Sequence, residues 1–174
     1  AAHAKDLQSR TELETLLRGG VSNVDASHKS MTALHWASLR GHEGVCDLLL
    51  RHRADPNAKN DAGMGPLSYA VLGEGHSHPR VVALLLEHGA RDCPGNDGMT
   101  CLMAAALMGE MDVVRMLWES GADIDAEDEG KTALDMAVQN GHLGVASFLR
   151  NAVAELTSNL VAGTAVRIVG LKSR

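Results

Sequence analysis

The chain has 174 residues, 45% of them hydrophobic, with 22 acidic against 16 basic side chains and a net charge of −6. That length holds one ordinary domain or slightly more, and the acidic balance lacks the basic footprint that nucleic-acid binding normally shows. The longest apolar run, Cys101 to Met108, is far short of the roughly 18 residues of a membrane span, so neither nucleic acid nor direct membrane insertion is expected.

In chain order, Ala1 to Asp6 reads as the end of a helix, Leu13, Leu16 and Leu17 as the face of a second, and Gly19 to Ala26 as a polar turn. Met31 to Gly63 then sets out a complete unit. Thr32-Ala33-Leu34-His35-Trp36-Ala37 opens a short helix, Gly41 interrupts it, Val45 to Leu50 forms a second apolar helix, and Ala54 to Gly63 turns the chain back. The unit recurs as Gly65-Pro66-Leu67-Ser68-Tyr69-Ala70 with Val81 to Leu86. It recurs again as Thr100-Cys101-Leu102-Met103-Ala104-Ala105 with Val113 to Trp118, and as Thr132-Ala133-Leu134-Asp135-Met136-Ala137 with Val145 to Leu149. The motif leucines Leu34, Leu67, Leu102 and Leu134 are about 33, 35 and 32 residues apart. A Gly or Ser stands two residues before each motif (Ser30, Gly63, Gly98, Gly130), as a tight turn needs. Between Leu72 and Pro79 the stretch Gly73 to His78 lengthens one helix-helix turn, an insertion that a surface loop absorbs at little cost.

Motif, helix break and turn at this period resemble the ankyrin repeat. The resemblance covers about Ala1 to Glu155 and implies an all-α ankyrin-repeat solenoid of about five stacked helix-turn-helix units joined by short β-turn or hairpin connections, each unit burying an apolar face it cannot bury alone. The expected repeats run over about 1–29 (partial, lacking the motif), 30–62, 63–97, 98–129 and 130–156, and a tail over 157–174 carries one possible β-strand within Ala162 to Leu171. The incomplete ends are expected either to continue in a longer natural chain or to be flexible termini. The resemblance also implies that the motif histidine, here His35, hydrogen-bonds the backbone of a neighbouring turn. Ser68, Met103 and Asp135 replace it later, so that network is expected to stop after the second repeat.

No catalytic or cofactor pattern emerges from the residues. Gly73-Glu74-Gly75 begins a dinucleotide fingerprint, but its third glycine falls on His78. The acidic run Asp123, Asp125, Glu127, Asp128, Glu129 imitates a calcium loop but puts Asp128 where glycine and Leu134 where glutamate belong. His76, His78 and His88 are the nearest approach to a metal set, and only the first two lie together. Cys46, Cys93 and Cys101 neither pair evenly nor form C-x-x-C, which points to a reducing, intracellular setting, the cytoplasm first, with nucleus or organelle left open. The expectation is a protein that is not an enzyme and carries no cofactor or metal.

The resemblance further implies that a protein partner lies against the turn tips and the exposed side of the first helices, in a concave groove. Before the motifs stand Met31, Met64, Met99 and Lys131; near the ends of the first helices stand Leu39, Arg40, Leu72, Leu107, Met108, Gln139 and Asn140. Three repeats place Met or Leu at positions where polar residues are usual, and the last turns polar. Such contiguous apolar surface marks a binding site, suited to an extended or amphipathic segment with apolar anchors; the alternative is that some members tuck between repeats as ordinary core. Two further readings remain, a structural subunit of a large multiprotein assembly and a regulatory or targeting domain of a longer enzyme.

Overall fold

The Thr-x-Leu motifs form helices because each begins with a residue that supplies a cap and continues with small and apolar side chains at helical spacing. At residues 132–139, Thr132 Oγ1 accepts the Asp135 amide at 3.3 Å while Asp135 Oδ2 takes the Thr132 amide at 3.0 Å and its hydroxyl at 2.8 Å, a reciprocal capping box. Thr100 caps the Met103 amide at 3.2 Å. Pro66 takes the first helical position of its copy, where the missing N–H is not needed.

The computed structural model describes residues 25, 27–28, 31–73 and 76–161. A two-residue hairpin, β1 (Ser27–His28) and β2 (Met31–Thr32), pairs antiparallel with Ser27 opposite Thr32. Eight helices follow among the described residues: α1 (Ala33–Leu39), α2 (Glu43–Arg51), α3 (Pro66–Leu72), α4 (Pro79–Glu87), α5 (Cys101–Met108), α6 (Met111–Glu119), α7 (Ala133–Gln139) and α8 (Leu143–Val161). Odd-numbered helices pack in one row, α1 on α3 on α5 on α7, and even-numbered helices in a second, each pair closing on itself. This is the all-α repeat solenoid that the period implies, with contacts made between neighbours.

The same backbone bond closes each of the four described helix pairs. His42, His78, Glu110 and His142 donate their amides to Ala37, Ala70, Ala105 and Ala137 at 2.8–3.0 Å. The long turn after α3 therefore rejoins the common register at His78, and the insertion is absorbed before it. After the second helix, Ala54, Ala90 and Ala122 likewise donate to Leu49, Leu85 and Leu117.

The core is a strip of Leu, Val, Ala and Met running through both rows, including Leu34, Leu67, Val82, Leu85, Leu102, Val114, Leu117 and Leu149. Helix α5 is at its centre: Cys101 to Ala106 are all buried, as expected of a helix apolar on every side. The run that is too short to span a membrane is thus the middle rung of the stack; among the described residues no helix is long and apolar enough to cross one. Helix α8 reaches Val161, past residue 156, and the expected strand within 162–171 lies outside the described residues, as does most of the partial first repeat.

Candidate partner-binding groove

Each turn between repeats ends in a tip that the backbone holds closed. Asn60 and Met64 exchange a bond at one tip, Gly95 and Met99 at the next, and Asp128 and Lys131 at the third. Neighbouring tips are tied: the Asn96 amide donates to Ala62 O at 2.9 Å and its side chain to Asp61 O at 2.9 Å. The tips thus form a row beside the odd-numbered helices.

His35 links tip to helix. Its Nδ1 accepts from the Thr32 amide at 3.1 Å and the hydroxyl at 2.7 Å, so the proton sits on Nε2, which donates to Met64 O at 3.2 Å. Burial holds its pKa below the ordinary 6.5 against the opposing pull of the Met64 carbonyl, which fits a ring whose Nδ1 must stay unprotonated. The implied backbone link is therefore present at His35, and the substitutes do other things. Ser68 Oγ meets Cys101 Sγ at 3.5 Å, Met103 is fully buried, and Asp135 turns back on its own cap, which lowers its pKa.

Between the tips and the odd-numbered helices lies a cleft of about 40 Å³ lined by Met64, Ser68, Leu72, Asp97, Met99, Thr100, Cys101 and Ala104. Three of the sequence-selected residues, Met64, Leu72 and Met99, meet here. Leu72 is 38% exposed and Leu107, at the matching place on α5, 39%. Met31 and Leu39 lie half-buried in the repeat before, and Met108 is half-buried against the core. Arg40, Lys131, Gln139 and Asn140 are exposed; Arg40 lies 5.8 Å from the Trp36 ring centroid, and Asn140 gives its side-chain amide to Met136 O.

Sequence reasoning missed the floor of the cleft: Ser68, Cys101 and Ala104. Their one signal was small side chains on the first helices, with Ser68 and Cys101 33 positions apart, and it did not show that they meet across a repeat boundary. A second hollow of about 180 Å³ lies between the loops after α2 and α4, with Asn57, Lys59, Arg91 and Cys93 in its lining. Asn57 there already donates to Gly89 O and accepts from the Arg91 amide, so its polar groups serve the fold.

The titratable groups of the core are also committed to structure. Asp92 accepts the amides of Cys101 at 2.6 Å and Leu102 at 3.0 Å, holding the start of α5, and burial nonetheless pushes its carboxyl up. Burial raises the Cys46 thiol to about 11 and the Cys101 thiol well above its usual value, which makes both poor nucleophiles. His78, which packs edge-on against His76, spends Nε2 on Leu39 O at 3.0 Å, and His142 repeats that bond to Leu107 O at 3.0 Å.

A sequence profile described as "Ankyrin repeats (3 copies)" matches residues 2–94 and 67–159. The chain is 33% identical to the cyclin-dependent kinase 4 inhibitor B of Rattus norvegicus, over 72% of this chain and 96% of the inhibitor. It is 39% identical to the transient receptor potential cation channel subfamily A member 1 homolog of Caenorhabditis elegans, over 66% of this chain and 9% of the channel. To the putative palmitoyltransferase ZDHHC13 of Danio rerio it is 29% identical, over 70% of this chain and 24% of that protein. The chain belongs to the ankyrin-repeat family, whose repeats are protein-interaction modules. It spans nearly all of the small inhibitor and about a tenth and a quarter of the two larger relatives.

Proposed function

We propose that the chain is a non-catalytic interaction module, or adaptor, that holds a protein partner against the tips and odd-numbered helices. One observation carries this reading: Met64, Leu72 and Met99, from two tips and a helix end, converge on an open cleft, with Leu107 exposed one repeat further on. Fully burying a Leu or Met contributes about 1.5–3 kcal/mol, so two or three such anchors offset a useful part of the cost of association. The proposed site comprises Met31, Leu39, Arg40, Met64, Leu72, Met99, Leu107, Met108, Lys131, Gln139 and Asn140, with Met31 and Leu39 on one side and the polar last repeat on the other flanking the cleft. Three free cysteines support a reducing, intracellular setting.

The test is site-directed photo-crosslinking in native extract, with the crosslinker replacing Leu72, Leu107 or, on the exposed side of the even-numbered row, Glu87. Crosslinks to one discrete protein from positions 72 and 107 and none from 87 support the reading. The reverse pattern moves the interface to the even-numbered row. A second reading, a regulatory or targeting domain within a longer enzyme or channel, is favoured by the matches to small parts of two large relatives. It predicts that the crosslinked protein is a segment of the same polypeptide.

A further inference from the structure

The cleft is small and the two hydroxyls of its lining are already used. Ser68 Oγ is taken by Cys101 Sγ and Thr100 Oγ1 by the Met103 amide, so an apolar occupant leaves neither hydroxyl stranded. A water-sized probe needs about 10–15 Å³ of such space, and a benzene-binding cavity about 150 Å³. At about 40 Å³ the cleft therefore seats about three heavy atoms, the branched end of a Val, Leu or Ile, and falls well short of a space that encloses an aromatic ring.

The charge in the lining of this apolar hollow has one sign. Asp97 is the charged residue in its lining; one carboxylate oxygen takes the Met99 amide at 3.2 Å, and the residue is exposed. The adjoining tips bring Asp61, through the Asn96 links, and Asp128, whose Oδ1 lies 3.2 Å from where a Cβ on Gly98 would stand. None of Asp61, Asp97 and Asp128 is in an ion pair among the described residues. Lys131 shares the third tip with Asp128 through paired backbone bonds, and Lys59 and Arg91 line the neighbouring hollow.

Resting on the groove reading above, we propose that the occupant is an extended partner segment with one branched aliphatic side chain seated among Met64, Leu72 and Met99, and a neighbouring Lys or Arg that meets Asp97 and the carboxylates of the adjoining tips. The aliphatic residue sets affinity and the cation sets direction and on-rate.

The experiment selects binders for the whole chain from a random peptide library displayed on phage, then measures the winning peptides on four variants checked for unchanged helicity. The expected winners carry Val, Leu or Ile with Lys or Arg within two residues. Leu72→Asp abolishes their binding, and Ala104→Val, which fills the floor, weakens it about tenfold. Asp97→Asn keeps the bond to Met99 and weakens binding about threefold, in the range of an exposed ion pair. Asp61→Asn/Asp97→Asn/Asp128→Asn slows association about tenfold at low salt, a gap that closes at high salt. Winners that lose binding on Leu72→Asp but carry an aromatic anchor, or acidic flanks, overturn this inference and leave the groove reading standing. Winners indifferent to Leu72→Asp overturn both. A selection that enriches no peptide overturns the inference.

Discussion

Two glycines in equivalent turns give a sharp test of how the repeats are joined. Gly109 (φ +75°) and Gly141 (φ +74°) share the left-handed conformation, but a Cβ on Gly109 would lie 2.4 Å from His142 Nδ1, whereas a Cβ on Gly141 meets nothing within 4 Å. Alanine at Gly141 then costs only the left-handed strain, about 1–2 kcal/mol. Alanine at Gly109 costs the same strain and also pushes the His142 ring aside, breaking its Nε2 bond to Leu107 O. That bond contributes about 0.5–1.5 kcal/mol, and the loss of ring packing adds to it, so Gly109→Ala should destabilise by about 1–2 kcal/mol more than Gly141→Ala. The entropy that alanine removes from the unfolded chain is common to both and cancels. Urea unfolding followed by circular dichroism, at matched slopes, measures the difference. Adding Gly109→Ala to His142→Ala should bring its cost down to that of Gly141→Ala. Equal costs for the two single substitutions would refute the claim that His142 locks one repeat to the next.

His35 stays neutral in the fold at pH values where the unfolded chain takes up a proton. Stability should therefore fall as pH drops below about 6.5 and level off below the lowered folded pKa; His35→Gln should reduce that slope in urea titrations between pH 7 and 5. Asp92 has the opposite sign. Its folded pKa is raised above the ordinary 3.8, so its contribution grows as pH falls through the folded pKa, and Asp92→Asn should remove that part of the pH dependence. Asp92→Ala strands the Cys101 and Leu102 amides and should cost about 1–3 kcal/mol at neutral pH. A thiol reagent at pH 8 should label Cys93 quickly in the folded chain, while Cys46, held near 11, and Cys101 react only on unfolding. Mass spectrometry of the labelled peptides checks the order.

What the sequence displayed was whatever repeats at fixed spacing. The motif leucines, the glycine-led tips and the helix pairs follow from local chemistry that each copy states for itself; Leu34, Leu67 and Leu102 are buried, and Leu134, in the last copy, is half-buried. Met64, Leu72 and Met99 were legible as neighbours for the same reason, since they occupy corresponding or adjacent places in consecutive copies. The cleft they enclose was not, because it depends on what faces them across a repeat boundary: Ser68 against Cys101, with Ala104 one turn on. Nor could spacing show that His78 and His142 reach back to Leu39 O and Leu107 O, or that Asp92 caps the following helix from nine residues upstream of Cys101. Each of these is a meeting of two copies, and a single copy holds only one half of it.

The measurement that bears most directly on the account is the affinity of the crosslinked partner for the wild-type chain, for Leu72→Asp, and for Glu87→Lys as a control on the even-numbered row. Losing one buried leucine anchor removes about 1.5–3 kcal/mol, and a carboxylate forced against the cleft adds to the loss. The account predicts at least tenfold weaker binding for Leu72→Asp and an unchanged constant for Glu87→Lys. Unchanged binding by a correctly folded Leu72→Asp chain would contradict it.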